Sequence, residues 1–133
     1  QGGLYALAWH PIGGLPSVET FCEVAAAMKE IEGAELRLAP YETAYVINLT
    51  GKEAEAIDRI IRKDTAETRF ETSVSCIGAS ICQVGLRDSQ GLLAACVKKV
   101  KEAGIPDGAL PQIHISGCPS SCGTHQTRRS CSR

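Results

Sequence analysis

The sequence predicts an α+β fold, because its periodic segments follow one another in a characteristic order and its composition changes near the middle. In the first half, apolar residues alternate or recur at three- and four-residue steps in the order strand, helix, strand, strand, helix. The second half has glycine- and cysteine-rich loops around one further helix. We therefore expect two domains, residues 1–63 with helices packed on a sheet and residues 64–133 as a cysteine-rich α/β segment.

The first strand and the first helix are predicted because the apolar pattern changes from a continuous run to a helical period. Residues 4–12 form an apolar run typical of a strand, and residues 17–32 have helical periodicity. Ser17 is a suitable N-cap, and Gly33 stands where a helix-ending glycine is expected. The predicted buried face of the helix comprises Val18, Phe21, Val24, Ala25, Met28 and Ile31.

A hairpin and a second helix are predicted next. Residues 34–39 and 44–49 alternate as strands do and are joined by a short linker, so we expect them to pair. Thr50 and Glu53 have the spacing of a capping box, which predicts the start of a helix. Its predicted buried face comprises Ala54, Ile57, Ile60 and Ile61.

The second half offers weaker signals. A strand is predicted near Phe70–Val74, a helix over about residues 88–103 ending at Gly104, and a short strand over residues 112–115. The helix would bury Leu92, Leu93, Cys96, Val97 and Val100.

Composition excludes several classes of function. The 133 residues are 44% hydrophobic and 22% charged with a formal net charge of −1, which favours neither nucleic acid nor an anionic membrane as a partner. The apolar runs are shorter than the roughly 18–20 residues that span a bilayer, and no secretory signal is expected. Seven cysteines are an odd number for a disulfide framework. We therefore expect a reducing, cytoplasmic location and cysteines that bind metal.

Four of the cysteines form two pairs. Cys76 and Cys82 have C-x5-C spacing, Cys118 and Cys122 have C-x3-C spacing, and a predicted helix lies between the pairs. Four thiolates can hold a [4Fe–4S] cluster or a structural zinc ion. The wider first pair favours the cluster over zinc, and disulfides are the least favoured alternative. The flanking glycines would let backbone N–H groups approach cluster sulfides; they are Gly78, Gly85, Gly117 and Gly123.

The other three cysteines carry no predicted role. Cys22 and Cys96 lie near the apolar faces of predicted helices, so we interpret both as small buried hydrophobic residues. Cys131 lies in a basic, aperiodic stretch and is assigned nothing.

Two segments around the cysteine pairs are similar to signature segments of sirohaem-containing sulfite and nitrite reductases. They are SCIGASICQVGLRDSQ and ISGCPSSCGTHQ. Upstream, GLYALAWHPIGGLP and GAELRLAPYETAYVINL resemble the ferredoxin-like half-domain that precedes the cluster segment in this family. The resemblance covers roughly residues 3–126.

The resemblance implies roles for five residues. Cys76, Cys82, Cys118 and Cys122 would bind a [4Fe–4S] cluster, and Cys122 would also ligate the sirohaem iron. Arg37, in the segment RLAPYE, would meet the sirohaem carboxylates, although Ala39 and Glu42 replace the usual Thr and Gln. Residues 1–63 would then be the ferredoxin-like half-domain and residues 64–133 the cluster- and sirohaem-binding segment, cut short. No catalytic residue is identified.

The implied function is the six-electron reduction of sulfite to sulfide or of nitrite to ammonia. The implied partners are the small anion, an electron donor such as ferredoxin or a flavoprotein, and the remainder of the reductase with its other pseudo-repeat. By itself the chain is expected to be inactive. Two alternatives stay open: a related scaffold for another reaction, similar to precorrin-3B synthase, and an iron–sulfur electron-transfer module without haem.

Overall fold

The computed structural model describes residues 3–123, and the chain divides into two compact units, 1–66 and 67–133. The predicted boundary lies three residues earlier, after residue 63. Residues 65 and 66 group with the first unit because they bond to His10, the residue after its first strand. The backbone N–H of Ala66 donates to the His10 carbonyl at 2.8 Å, and the His10 N–H donates to the Thr65 hydroxyl at 3.3 Å.

The first unit is an antiparallel sheet with two helices. Its elements are β1 (Tyr5–Trp9), α1 (Val18–Lys29), β2 (Glu35–Ala39), β3 (Thr43–Leu49) and α2 (Gly51–Ile61). The strand order is β1-β3-β2, and both pairings are antiparallel. The predicted α+β class and the β2–β3 hairpin are therefore confirmed.

Both helices cover the same face of this sheet. Alternate residues of β3, namely Ala44 and Val46, are buried together with Val24 of α1 and Ile57 of α2. Trp9, at the end of β1, belongs to the same core, and its indole N–H donates to the Asp64 carbonyl at 3.0 Å. The core of the unit thus lies between the sheet and the two helices.

The caps predicted for the two helices are present. The Ser17 hydroxyl accepts a hydrogen bond from the Thr20 backbone N–H at 3.1 Å. The Glu53 carboxylate accepts from the Thr50 N–H at 2.7 Å, which completes the capping box of α2. Hydrogen bonds from Thr50 hold the pKa of Glu53 below its ordinary value.

The limits of β1 and α1 differ from the predicted ones. β1 ends at Trp9 rather than at residue 12, because Pro11 has no N–H to pair and Ile12–Gly14 form a 3₁₀ turn. α1 ends at Lys29, and only Val24 of its predicted apolar face is fully buried. Phe21 stacks on the Trp9 ring, with 6.3 Å between the ring centroids, and stays partly exposed.

The second unit contains β4 (Val74–Ser75), α3 (Ser89–Glu102) and β5 (His114–Ile115). β4 and β5 pair in parallel, with Val74 opposite His114. Both strands are shorter than predicted. On α3, Leu93 and Val97 are buried, whereas Leu92 of the predicted apolar face is exposed. Within residues 3–123, no helix is long and apolar enough to cross a bilayer.

We expect Ile57→Ala to lower the free energy of unfolding of the first unit by about 2–5 kcal/mol, because Ile57 is completely buried and truncation leaves a cavity. Leu38→Ala is the matched control, since Leu38 is 85% exposed and its truncation should change stability by about 0.5 kcal/mol or less. Urea unfolding followed by Trp9 fluorescence measures both. Equal losses in the two variants would contradict the assigned core.

Candidate iron–sulfur site

The parallel strand pair brings the two cysteine segments to one edge. Cys76 directly follows β4, and Cys118 comes three residues after β5. The Cys76 backbone N–H donates to the Ile115 carbonyl at 3.1 Å, which continues the pairing beyond the strands. The two cysteine loops therefore start side by side from the carboxyl ends of neighbouring strands.

Gly117 joins the two loops. Its carbonyl accepts from the backbone N–H groups of Leu86 at 3.1 Å and Arg87 at 3.0 Å. Its own N–H donates to the Cys76 sulfur at 3.1 Å. A Cβ at position 117 would lie 2.6 Å from the Arg87 carbonyl oxygen, so the approach of the loops requires glycine.

The first loop folds back against the start of α3. Gly78 has φ +71° and its carbonyl accepts from the Cys82 N–H at 2.8 Å. A Cβ at Gly78 would lie 2.6 Å from the Ser89 hydroxyl oxygen. The Ala79 N–H donates to the Arg87 carbonyl at 2.9 Å. These contacts hold the loop at Gly78 and Ala79 against Arg87 and the start of α3.

Gly117 and Ser89 are polar neighbours of the Cys76 sulfur. The Gly117 N–H donates to it, and the Ser89 hydroxyl oxygen lies 3.0 Å away. Backbone N–H donation to a cysteine sulfur is an interaction that tunes iron–sulfur clusters. Gly117, one of the flanking glycines, makes this contact to a cysteine sulfur, and the approach of glycine N–H groups to cluster sulfides stays a prediction.

All four predicted ligands are free thiols. Cys76, Cys82 and Cys118 are half-buried and Cys122 is exposed. Within residues 3–123, no three histidine, cysteine, aspartate or glutamate side chains form a group that could hold a metal ion. A single zinc ion needs its thiolate ligands about 2.3 Å from one point. A four-iron cluster distributes four thiolates over four metal ions, so the chemistry of four cysteines, with the Gly117 N–H on the Cys76 sulfur, suits that group.

Arg37 lies in the first unit, on β2, and is already paired. Its Nε and Nη2 atoms donate to one Glu35 carboxylate oxygen at 3.0 and 2.8 Å. The pair is exposed, 64% and 52% for the two side chains, so it is weak and open to exchange. Another carboxylate that binds Arg37 either uses its remaining N–H groups or displaces Glu35.

The prediction that Cys22 is buried is wrong. Cys22 lies on α1 but is exposed, because most of the apolar face of that helix is not covered in this unit. Cys96, on α3, is half-buried, as a small side chain at the edge of a core would be. Cys131 lies outside the described residues.

Sequence reasoning missed Ser89 and Glu71. Ser89 is the first residue of α3 and is buried against Cys76. Its position at the start of the helix that follows the first cysteine loop is the signal that could have identified it. Glu71 is 2% exposed, and its carboxylate accepts from Lys101 Nζ at 2.8 Å and from the Glu67 N–H at 2.7 Å. No periodic pattern indicated its burial.

The Glu71 carboxylate is held charged. Burial raises its pKa, but hydrogen bonds from Lys101 and the backbone N–H groups of Glu67 and Thr68, with the attraction of Lys101, bring the pKa below its ordinary value. The pKa of Lys101 is raised by the same pair. A carboxyl group with a lowered folded-state pKa stabilises the fold fully above its unfolded pKa, and that contribution is lost as the pH falls through the lowered value.

Glu71→Gln should therefore lower the opening free energy of the second unit at neutral pH by about 1–3 kcal/mol, the range for a charge-assisted hydrogen bond. The wild-type protein should lose stability as the pH falls below about 5, and Glu71→Gln should lose less over the same range. Amide hydrogen exchange in α3 measures both effects. Glu102→Gln is the control, because Glu102 is exposed and 3.8 Å from its partner Lys98. An unchanged acid response in Glu71→Gln would contradict the assignment.

Comparison with known proteins finds similarity to two reductases and to one solved structure. No family model matches. A sulfite reductase (ferredoxin) 1 of Mycolicibacterium paratuberculosis is 20% identical over 95% of this chain, and a chloroplastic ferredoxin–nitrite reductase of Oryza sativa subsp. japonica is 26% identical over 95%. The structure of the Mycobacterium tuberculosis NirA protein superposes with a TM-score of 0.69 over 91% of this chain at 20% identity, which shows a shared fold.

The chain spans about a quarter of the length of the curated relatives it matches, 24% and 22%, and 24% of the NirA chain. Both sequence matches cover the two predicted domains together. They confirm the resemblance predicted from the cysteine segments: over most of its length, this chain is similar to a part of one sulfite reductase and of one nitrite reductase.

Proposed function

We propose that this chain is the cluster-binding part of a reductase that converts sulfite to sulfide or nitrite to ammonia. The observation that carries the proposal is the junction of the two cysteine loops at Gly117, where one residue bonds to the backbone of one loop and to the Cys76 sulfur. Both matched relatives are named as reductases of these anions.

The four thiolates would hold a [4Fe–4S] cluster, with Cys122 shared with the sirohaem iron. When bound, these groups supply one-electron transfers to a small anion. Cys76 is anchored by Gly117 and Ser89, which fixes one ligand before binding. Cys122 is exposed, as a sulfur that must reach a second group needs to be. The protein's part is to place the four sulfurs and to limit access of water to the inner ones.

Arg37 would supply a cation for a sirohaem carboxylate after exchange with Glu35. A guanidinium suits this role, because it stays charged and can donate two parallel hydrogen bonds to a carboxylate. The proposed partners are the anion, an electron donor such as ferredoxin or a flavoprotein, and the remainder of a longer reductase. We propose a cytoplasmic location, in keeping with six free thiols among the described residues.

A cluster-only electron-transfer module is the second candidate, and the Arg37–Glu35 pair favours it. Where Glu35 stays on Arg37, its negative charge lies where an anionic macrocycle would have to bind, which disfavours sirohaem there. A scaffold similar to precorrin-3B synthase would use the same cysteines and Arg37, so it shares the support of the first proposal.

Anaerobic reconstitution with iron, sulfide and sirohaem, followed by visible spectroscopy, tests the choice. The proposed reductase segment should show sirohaem Soret and red bands that disappear in Cys122→Ser and weaken in Arg37→Ala. Arg62→Ala is the matched control, since Arg62 forms a comparable exposed pair with Asp58. A broad brown shoulder without sirohaem bands would favour the electron-transfer module, and a colourless protein would contradict both.

By itself the reconstituted chain should show no turnover of sulfite or nitrite. Charge that develops on a small oxyanion requires cations preorganised close to it. Arg37 is paired with Glu35, while Arg69 and Arg87 are exposed, where water weakens electrostatic contacts. An anaerobic assay driven by reduced methyl viologen measures the rate. Turnover in the family's normal range that is abolished by Cys122→Ser would contradict this expectation.

A further inference from the structure

We propose that the Ser89 hydroxyl is a positioning group for the Cys76 sulfur and raises the reduction potential of the cluster that this sulfur would hold. The inference rests on the proposed function. Ser89 is 1% exposed, at the first position of α3. Its hydroxyl oxygen lies 3.0 Å from the Cys76 sulfur and 2.8 Å from the Cys76 carbonyl oxygen.

A serine hydroxyl has one proton, and here it has two acceptors in reach. While the Cys76 thiol is protonated, its S–H can donate to the Ser89 oxygen and the Ser89 proton can go to the Cys76 carbonyl. An iron-bound thiolate has no proton to donate. The Ser89 proton then turns to the sulfur, and the carbonyl keeps the Gln90 side-chain N–H at 3.3 Å. The Cys76 sulfur and the Cys76 carbonyl oxygen therefore each have a hydrogen-bond partner both with and without the thiol proton.

The hydroxyl is enclosed by the two cysteine loops. A Cβ at Gly78 would lie 2.6 Å from the Ser89 oxygen, and one at Gly117 would lie 3.4 Å from it. Because glycine at both positions leaves no side chain there, the hydroxyl sits directly beneath the junction of the loops. A hydrogen bond in so buried a place is little weakened by water.

The bond matters most when the cluster is reduced. Hydrogen bonds to cluster sulfurs are among the factors that set reduction potential, since they stabilise the more negatively charged reduced form. Loss of the Ser89 donor should therefore shift the potential to more negative values. The Gly117 N–H would still donate to the same sulfur, so the cluster itself should be retained.

The test is an EPR-monitored redox titration of anaerobically reconstituted wild-type protein, Ser89→Ala and Ser89→Thr, after iron and sulfide have been counted. Ser89→Ala should titrate at a more negative potential than the wild type, and Ser89→Thr, which keeps a hydroxyl, should return toward it. Ser80→Ala is the matched control: Ser80 is exposed in the same loop and its hydroxyl donates only to the Ile77 carbonyl at 3.2 Å. Its potential should equal that of the wild type.

Equal potentials in the wild type and Ser89→Ala would overturn this inference and leave the proposed function standing. A wild-type protein that takes up no iron and sulfide would overturn both. If Ser89→Ala does not fold, Ser89→Val is compared with Ser89→Thr, because the two side chains have nearly the same shape and differ in the hydroxyl. Ser89→Val should titrate at the more negative potential, and equal potentials in the two variants would overturn the proposed donor.

Discussion

Cys76→Ser and Cys118→Ser are each expected to reduce the iron content of the anaerobically reconstituted chain from about four atoms to nearly none. A serine hydroxyl is scarcely ionised at neutral pH and replaces a thiolate poorly as an iron ligand. One ligand comes from each loop, so loss of either leaves the cluster held from one side. Iron and acid-labile sulfide assays measure the effect.

Cys22→Ser and Cys96→Ser are the matched controls for this experiment. Both remove a thiol from a helix, one exposed and one half-buried, and neither lies in the cysteine loops. Both should keep the iron content of the wild type. If Cys22→Ser lost as much iron as Cys76→Ser, the assignment of the loops as the binding site would be contradicted.

Gly117→Ala should have a similarly large effect without removing any ligand. The added Cβ would lie 2.6 Å from the Arg87 carbonyl oxygen, and a backbone atom cannot move aside as a flexible side chain can. The loops must separate, which breaks the bonds from Leu86 and Arg87 to the Gly117 carbonyl and the bond from Gly117 to the Cys76 sulfur. We expect cluster uptake to fall to nearly none.

The control for Gly117→Ala is Gly51→Ala. A Cβ at Gly51 would meet only the Tyr5 ring at an ordinary contact distance of 3.7 Å, and Gly51 begins a helix. This variant should take up iron as the wild type does, and its circular dichroism should be unchanged. Full cluster uptake by Gly117→Ala would show that the close approach of the loops is not required.

Local signals predicted much of the first unit. The Ser17 cap and the Thr50–Glu53 capping box involve residues three apart, so spacing alone identifies them. The burial of α1 could not be predicted in the same way. A helical pattern such as Val18 to Ile31 marks an apolar face, but how much of that face is covered depends on the elements packed against it, and here only Val24 is fully buried.

In the site, too, local features could be predicted from the sequence and contacts between distant segments could not. The cysteine pairs and their glycines are evident in the sequence, since both lie in short segments. The junction between them depends on the parallel pairing of β4 with β5, two strands of two residues each, about 40 positions apart. Strands that short carry no periodicity. The sequence could not predict the pairing of Arg37 with Glu35 either, because opposite charges two residues apart on a strand need not form an ion pair.

Native mass spectrometry of the anaerobically reconstituted chain tests the central claim most directly, because it separates a cluster from a single metal ion by mass. We predict a species heavier than the apo chain by one [4Fe–4S] unit, lost in Cys76→Ser and Cys118→Ser and kept in Cys96→Ser. A chain that takes up one zinc ion instead, or that stays at the apo mass under conditions that load a ferredoxin, would contradict the account.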